Sequence, residues 1–286
     1  MSSRLDVRKT YKLFIGGEFP RSESGRSYPA TDANGRVLAR VASASRKDLR
    51  DAVRAAREAL PGWAAKSGYN RGQILYRVAE IIEDRARTFI EQLLDTGLTQ
   101  RKAKVEVERS VDRMVWYAGW CDKFAQVFGN LNPVAGPFFN ISSPEPTGVV
   151  GVIAPPEPAL LGLVSRLAPV LAGGNAAVLL ASESWPLPAI TFCEVLESSD
   201  VPGGVVNVIT GKTAELSPWL ASHMDVNAID AVGAGPDLIT RIEQEAAHNV
   251  KRVIRPDGPV DWATSQSPYL IAAFTETKTV WHPKGV

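Results

Sequence analysis

Few side chains in this sequence could do covalent or metal chemistry, and their spacing argues against most of it. There are two cysteines, Cys121 and Cys193. Cys121 lies in WYAGWCDK and Cys193 in AITFCEVLES, both inside helical patterns. A reactive thiol needs an accessible, electropositive setting, so both read as small helix residues and not as nucleophiles. The three histidines, His223, His248 and His282, are never spaced with cysteines or carboxylates as a metal site requires. Two turns remain. Pro155, Pro156, Glu157 and Pro158 follow an apolar run, and Glu157 there reads as a solvated loop carboxylate. Gly233, Ala234, Gly235, Pro236 and Asp237 form a glycine-rich turn that reads as a tight strand-to-helix connection with an Asp near the helix start.

The elements that would position these residues follow from periodicity. Residues 12–19 suggest a strand broken by a tight turn at Gly16 and Gly17. Ser45 should cap a helix running to Leu60 and stopped by Pro61 and Gly62. A second helix begins near Asn70 with an apolar stripe of Ile74, Leu75, Val78, Ile81 and Ile82, a third runs from Arg85 to Thr96, and a long one spans 101–128. In that long helix Val105, Val111, Val115 and Trp116 should face the core and the charged residues water. From 148 onward the pattern changes. Apolar runs at 148–154, 176–180, 204–209, 228–232 and 251–254 alternate with helical stretches at 159–172, 186–198, 213–222 and 237–249. That alternation means an α/β fold, a doubly wound parallel sheet covered on both faces, with ligands expected at the carboxyl ends of its strands. Residues 255–268 carry three prolines and read as a loop. Residues 274–281 (FTETKTVW) alternate with period two and read as an edge or partner-pairing strand.

Bulk properties narrow the function. The chain has 286 residues, 45% of them hydrophobic, and a formal net charge of +1. That balance argues against nucleic acid as a partner. No apolar run approaches the roughly 18 residues of a membrane span. The first ten residues lack the apolar core of a secretory signal, and two cysteines suit a reducing cytoplasm. No repeat or low-complexity tract is present.

Three segments, PTGVVGVIAP, LAPVLAGGNAAVLLASES and VPGGVVNVITG, resemble the aldehyde dehydrogenase superfamily in order and spacing. The opening YKLFIGGEFPRSESGRSYPATD and the closing FTETKTVWHP resemble that family as well. The resemblance implies a Rossmann-like cofactor domain (1–131 and 147–258), projecting oligomerisation strands (132–146 and 269–286), and a short linker (259–268) where the family has its catalytic domain. It implies NAD or NADP as cofactor, with Pro155, Glu183, Gly211 and Gly233 at the positions that would line its site. It also implies losses. Glu157 replaces the Asn whose amide helps hold the oxyanion, and a carboxylate accepts hydrogen bonds where a donor is needed. Such a donor is worth about 10²–10³ in rate. Leu180 replaces the Lys that grips the ribose. Pro256 stands at the general-base Glu, and no nucleophile motif exists. The hydroxyls of the family's pyrophosphate turn are gone, and Asp237 repels phosphate.

Kept arms with lost chemistry imply a pseudoenzyme that docks on an intact aldehyde dehydrogenase, pairing through its C-terminal strand. The alternatives are a homo-oligomer, an active NAD(P)-dependent oxidoreductase completed by a partner's residues, or a nucleotide-binding module without chemistry.

Overall fold

The computed structural model describes residues 9–285; residues 1–8, part of the segment read as carrying no secretory signal, lie outside the described residues. The chain opens with β1 (Thr10–Tyr11), β2 (Ser27–Thr31) and β3 (Val37–Ala42), a three-stranded sheet in the order β1-β3-β2. Residues 12–19 are not the regular strand expected. Phe14 bridges to Val208 and Ile15 to Glu18, around a turn whose Gly16 and Gly17 have φ of 67° and 88°. A Cβ on Gly17 would lie 2.9 Å from the Gly203 Cα, so the turn is pressed against the neighbouring loop.

Five helices follow: α1 (Arg46–Ala64), α2 (Gly68–Asp84), α3 (Ala86–Asp95), α4 (Gln100–Ala118) and α5 (Phe124–Phe128). Ser45 caps α1 in a capping box with Asp48. Pro61 does not stop this helix. The last turn continues through it because Trp63 is fully buried and its Nε1 donates to the Leu171 carbonyl at 3.2 Å. The expected 101–128 helix is interrupted at Gly119, giving α4 and the short α5. Its buried face also differs from the expectation. Val115 is exposed, and the core face carries Glu106, Ser110 and Arg113 beside Ala103, Val107, Met114 and Tyr117. These inward charges have partners on other elements, described below.

An arm comes next, β4 (Asn130–Asn132) and β5 (Phe138–Pro146). The alternating half then runs β6 (Val149–Ile153), α6 (Leu161–Ala172), β7 (Ala176–Leu180), α7 (Leu187–Glu197), β8 (Val206–Ile209), α8 (Thr213–Ser222), β9 (Ala228–Asp230), α9 (Pro236–Ala246) and β10 (Arg252–Ile254). Its five strands are all parallel, in the order β10-β9-β6-β7-β8. Strands β6, β7, β8 and β9 are buried throughout, which is why they read as unbroken apolar runs. One core cluster joins the sheet to α2, α4, α6 and α7, and a second joins its other face to α1, α8 and α9. After β10 the chain crosses a loop to α10 (Pro268–Ala272) and ends in β11 (Thr275–Pro283). β11 pairs antiparallel along the whole of β5, from Thr275↔Pro146 to Pro283↔Phe138, forming the sheet β11-β5-β4.

Candidate functional site

The strand order reverses at β6. The chain moves outward through β7 and β8, then returns through α8 to β9 and β10 on the other side. The crevice at the carboxyl ends of β6 and β9 is therefore where a fold of this topology holds a ligand. Pro155 is buried there, and a Cβ on Gly162 would come within 2.4 Å of its Cγ. Glu157 is exposed and accepts a hydrogen bond from the Trp185 Nε1 at 3.3 Å. Gly233 lies against the end of β6, where a Cβ would meet the Ala154 carbonyl oxygen at 2.3 Å. Its lack of a side chain is thus required by packing, whatever ligand is considered.

The cofactor positions inferred from resemblance are tied into the fold. Leu180 is 2% exposed, in the second core cluster, where the resemblance had expected a Lys. The Glu183 Oε2 accepts the backbone N–H of Thr213 at 3.0 Å, so it caps α8, which has no side-chain cap of its own. Gly211, with φ of 150°, closes the end of β8. Pro256 is half-buried in the loop after β10.

The structure adds four charged residues that periodicity did not single out. Arg166 of α6 meets Asp230 of β9, with Nε 2.6 Å and Nη2 2.5 Å from Oδ2. Their side chains are 4% and 0% exposed. Burial pushes the Asp230 carboxyl above its ordinary range, against the pull of Arg166. Glu106 of α4 accepts the Leu160 and Leu161 N–H groups at 2.8 and 3.3 Å, capping α6 from another helix. Burial raises its pKa while those two N–H groups lower it. Arg113 donates to the Ser165 Oγ at 2.6 Å, the Trp262 carbonyl at 2.9 Å, the Gln266 Oε1 at 3.1 Å and the Ser265 carbonyl. It fastens the loop after β10 between α4 and α6. For two of the four the sequence carries a signal, a charged residue inside an apolar run: Arg166 in LGLVSRLAPVLA and Asp230 in AIDAV.

Beside the crevice opens a cleft of about 960 Å³, lined by Arg109 and Val105 of α4, Glu157, Trp185 and Trp262 among others. No thiol reaches it. Cys121 and Cys193 are buried, with Sγ directed to the Tyr117 and Ala189 carbonyls. Burial pushes the Cys121 thiol up to about 12 and the Cys193 thiol well above its ordinary value. No group of His, Cys, Asp and Glu among the described residues could hold a metal ion. No helix among them is long and apolar enough to cross a membrane.

Residues 21–256 match the model of the aldehyde dehydrogenase family. The chain belongs to that family. It is 31% identical over 278 residues to the mitochondrial aldehyde dehydrogenase of Rattus norvegicus, covering 91% of this chain and 53% of that enzyme. It is 32% identical over 260 residues to the cytosolic 10-formyltetrahydrofolate dehydrogenase of Xenopus tropicalis, covering 88% and 28%. Among solved structures it resembles HpcC from Thermus thermophilus, with a TM-score of 0.82, 30% identity and coverage of 86% and 48%. It also resembles the NAD+ complex of the Bacillus cereus aldehyde dehydrogenase, with a TM-score of 0.81, 28% identity and coverage of 86% and 50%. The chain thus spans about half the length of the aldehyde dehydrogenases it matches.

The family fold implies a dinucleotide, but the residues in the crevice do not suit one. A pyrophosphate needs free N–H donors at a helix N-terminus. Here Pro236 at the first position of α9 has none, and Asp237 adds a negative charge in the first turn. The Glu157 carboxylate stands at the β6 turn, and the Glu183 carboxylate is already engaged by Thr213.

Proposed function

We propose that this aldehyde dehydrogenase-family chain does not oxidise aldehydes alone and acts as a docking or structural subunit of an intact aldehyde dehydrogenase. The observation that carries this reading is the arm sheet. In its register Leu131 pairs with Ile141, and Ile141 with Val280, which places the three on one face with Phe139 two residues away. All four are exposed, as is Trp281, which meets Phe138 edge-on at the other face. Among the described residues Thr/Val-rich β11 has only β5 as neighbour, which leaves its outer edge open to an added strand. In this reading residues 259–268 are the linker that replaces the catalytic domain, and the arm seeks the sheet it would otherwise have paired with.

Co-expression with an intact relative followed by size-exclusion chromatography tests the reading. The two chains are expected to co-elute, and Ile141→Asp with Val280→Asp to abolish it. Separate elution of the wild-type chains sinks the docking role. The cofactor is tested by thermal unfolding. A ligand at 100 Kd would stabilise the native state by about 2.7 kcal/mol. With the unsuited donor set, saturating NAD is expected to leave Tm unchanged while stabilising an intact relative. A clear NAD-dependent rise would instead favour a nucleotide-binding module.

A further inference from the structure

On the other face of the central sheet, a cavity of about 550 Å³ opens between the first turn of α1 and the last turn of α8. It is lined by Arg46, Lys47, Arg50, Trp219, Ser222 and His223, and no carboxylate is among its lining residues. Three features set it apart from an ordinary solvated helix end. Arg46 and Lys47 occupy the first two positions of α1, where the helix dipole disfavours cations. A local rule broken in this way calls for a compensating gain. Second, the carbonyls at the end of α8 do not offer negative charge to the cavity, because the Lys251 ammonium takes the Ala221 and His223 oxygens at 2.6 and 2.7 Å. Third, the His223 Nδ1 accepts the Asp225 N–H at 3.2 Å, so the neutral ring carries its proton on Nε2 and is a donor.

We propose that this cavity binds a phosphomonoester bearing a planar ring, with a nucleoside monophosphate as the type. Arg46, Lys47 and Arg50 carry three permanent charges against the two carboxylates of Glu23 and Asp51 bonded to Lys47 and Arg50, so a dianion enters by displacing those two exposed pairs, and the guanidinium forks of Arg46 and Arg50 match phosphate oxygens in pairs. Trp219, partly buried against the second core cluster, offers the flat apolar surface for the ring. The Lys47–Glu23 and Arg50–Asp51 ion pairs, at 3.1 Å each, are between exposed or half-exposed side chains and hold these cations only weakly against a ligand. Arg46 forms no ion pair among the described residues. Each phosphate of NAD carries one ester and one anhydride bond and a single negative charge, so this cavity does not restore the pyrophosphate site of a dinucleotide, and the proposal does not rest on the docking role.

The test is titration of the full chain with AMP, adenosine and inorganic phosphate separately, up to about 5 mM at low ionic strength, where screening is weakest. Tryptophan fluorescence is the readout. AMP is expected to give a saturable change that Trp219→Phe removes. Arg46→Ala with Arg50→Ala should weaken AMP at least tenfold, as expected for the loss of charge-assisted hydrogen bonds. Both positions are exposed on α1, so circular dichroism should be unchanged. Adenosine and phosphate alone should each bind at least tenfold more weakly than AMP. No saturable response to AMP overturns the proposal. So does equal affinity in the double variant, or binding of adenosine as tight as that of AMP.

Discussion

Arg166→Met is expected to lower the free energy of unfolding by about 3–5 kcal/mol, because it leaves Asp230 buried without its counter-ion. Asp230 is 0% exposed, and its remaining hydrogen bond is the Val232 N–H at 3.1 Å. Replacing both residues, Arg166→Met with Asp230→Val, should recover most of the loss, since two charges removed together leave nothing uncompensated. The sign of the pH effect follows from the raised carboxyl of Asp230. A carboxyl whose folded pKa lies above its unfolded value costs stability in full above the folded pKa, and that cost fades as pH falls from the folded toward the unfolded value. In the single variant Arg166 no longer pulls the pKa down, so it climbs further. The deficit relative to wild type should therefore narrow as pH falls, because Asp230 can then be buried as the neutral acid. Urea unfolding of the wild type and both variants between neutral and mildly acidic pH measures this. A single-variant loss below about 1 kcal/mol, in the range of an exposed pair, would show that the pair is not an isolated buried couple.

The same pair shows what local pattern can and cannot convey. β6 and β7 are legible because every residue in them is buried, so hydrophobicity runs unbroken over their length. The helices between the parallel strands are legible for a similar reason, their ends marked by Gly173 and Pro186. β2 and β3 escape such a reading because Pro29 lies within β2, and in β3 the apolar Val37 and Leu38 on the outer part of the strand mask the short alternation of buried Ala39 and Val41 about exposed Arg40. The inward face of α4 departs from its periodicity for a different reason. Glu106 and Arg113 are buried because their partners arrive from segments about 50 to 150 residues later, which no helical periodicity records. Glu183 belongs with them. Its resemblance to a ribose ligand is a matter of alignment, whereas its bond to Thr213 depends on how β7 and α8 come together. Pairing across long separations is thus the invisible part, and the candidate site consists largely of such pairs.

Arg113→Ala is expected to release the loop after β10 without detaching the arm. Arg113 is 2% exposed and makes four hydrogen bonds, three of them to residues 262–266. Burial disfavours its charge and Tyr117 favours it, so the carbonyls of Trp262 and Ser265 are what offset its desolvation. Truncation should cost about 2–4 kcal/mol, from the lost charge-assisted bonds and the acceptors left behind. Arg113→Lys should restore only part, since an ammonium cannot span the fork. The chain beyond the loop is anchored independently. Ile271 and Phe274 are fully buried, the Phe274 carbonyl accepts from the Asn175 Nδ2 at 2.9 Å, and β11 is held along its length by β5. Hydrogen exchange should therefore rise over 255–267 while 275–283 keeps its protection, and Trp262 should become more solvent-exposed. Co-elution with an intact relative should survive, because the surface proposed to dock is the arm and not the cleft that Trp262 lines. Unchanged exchange at 262–266 would mean that the loop is held by something other than Arg113. Loss of exchange protection in β11 together with the loop would mean that linker and arm form one cooperative unit, and that the cleft and the docking strand cannot be separated.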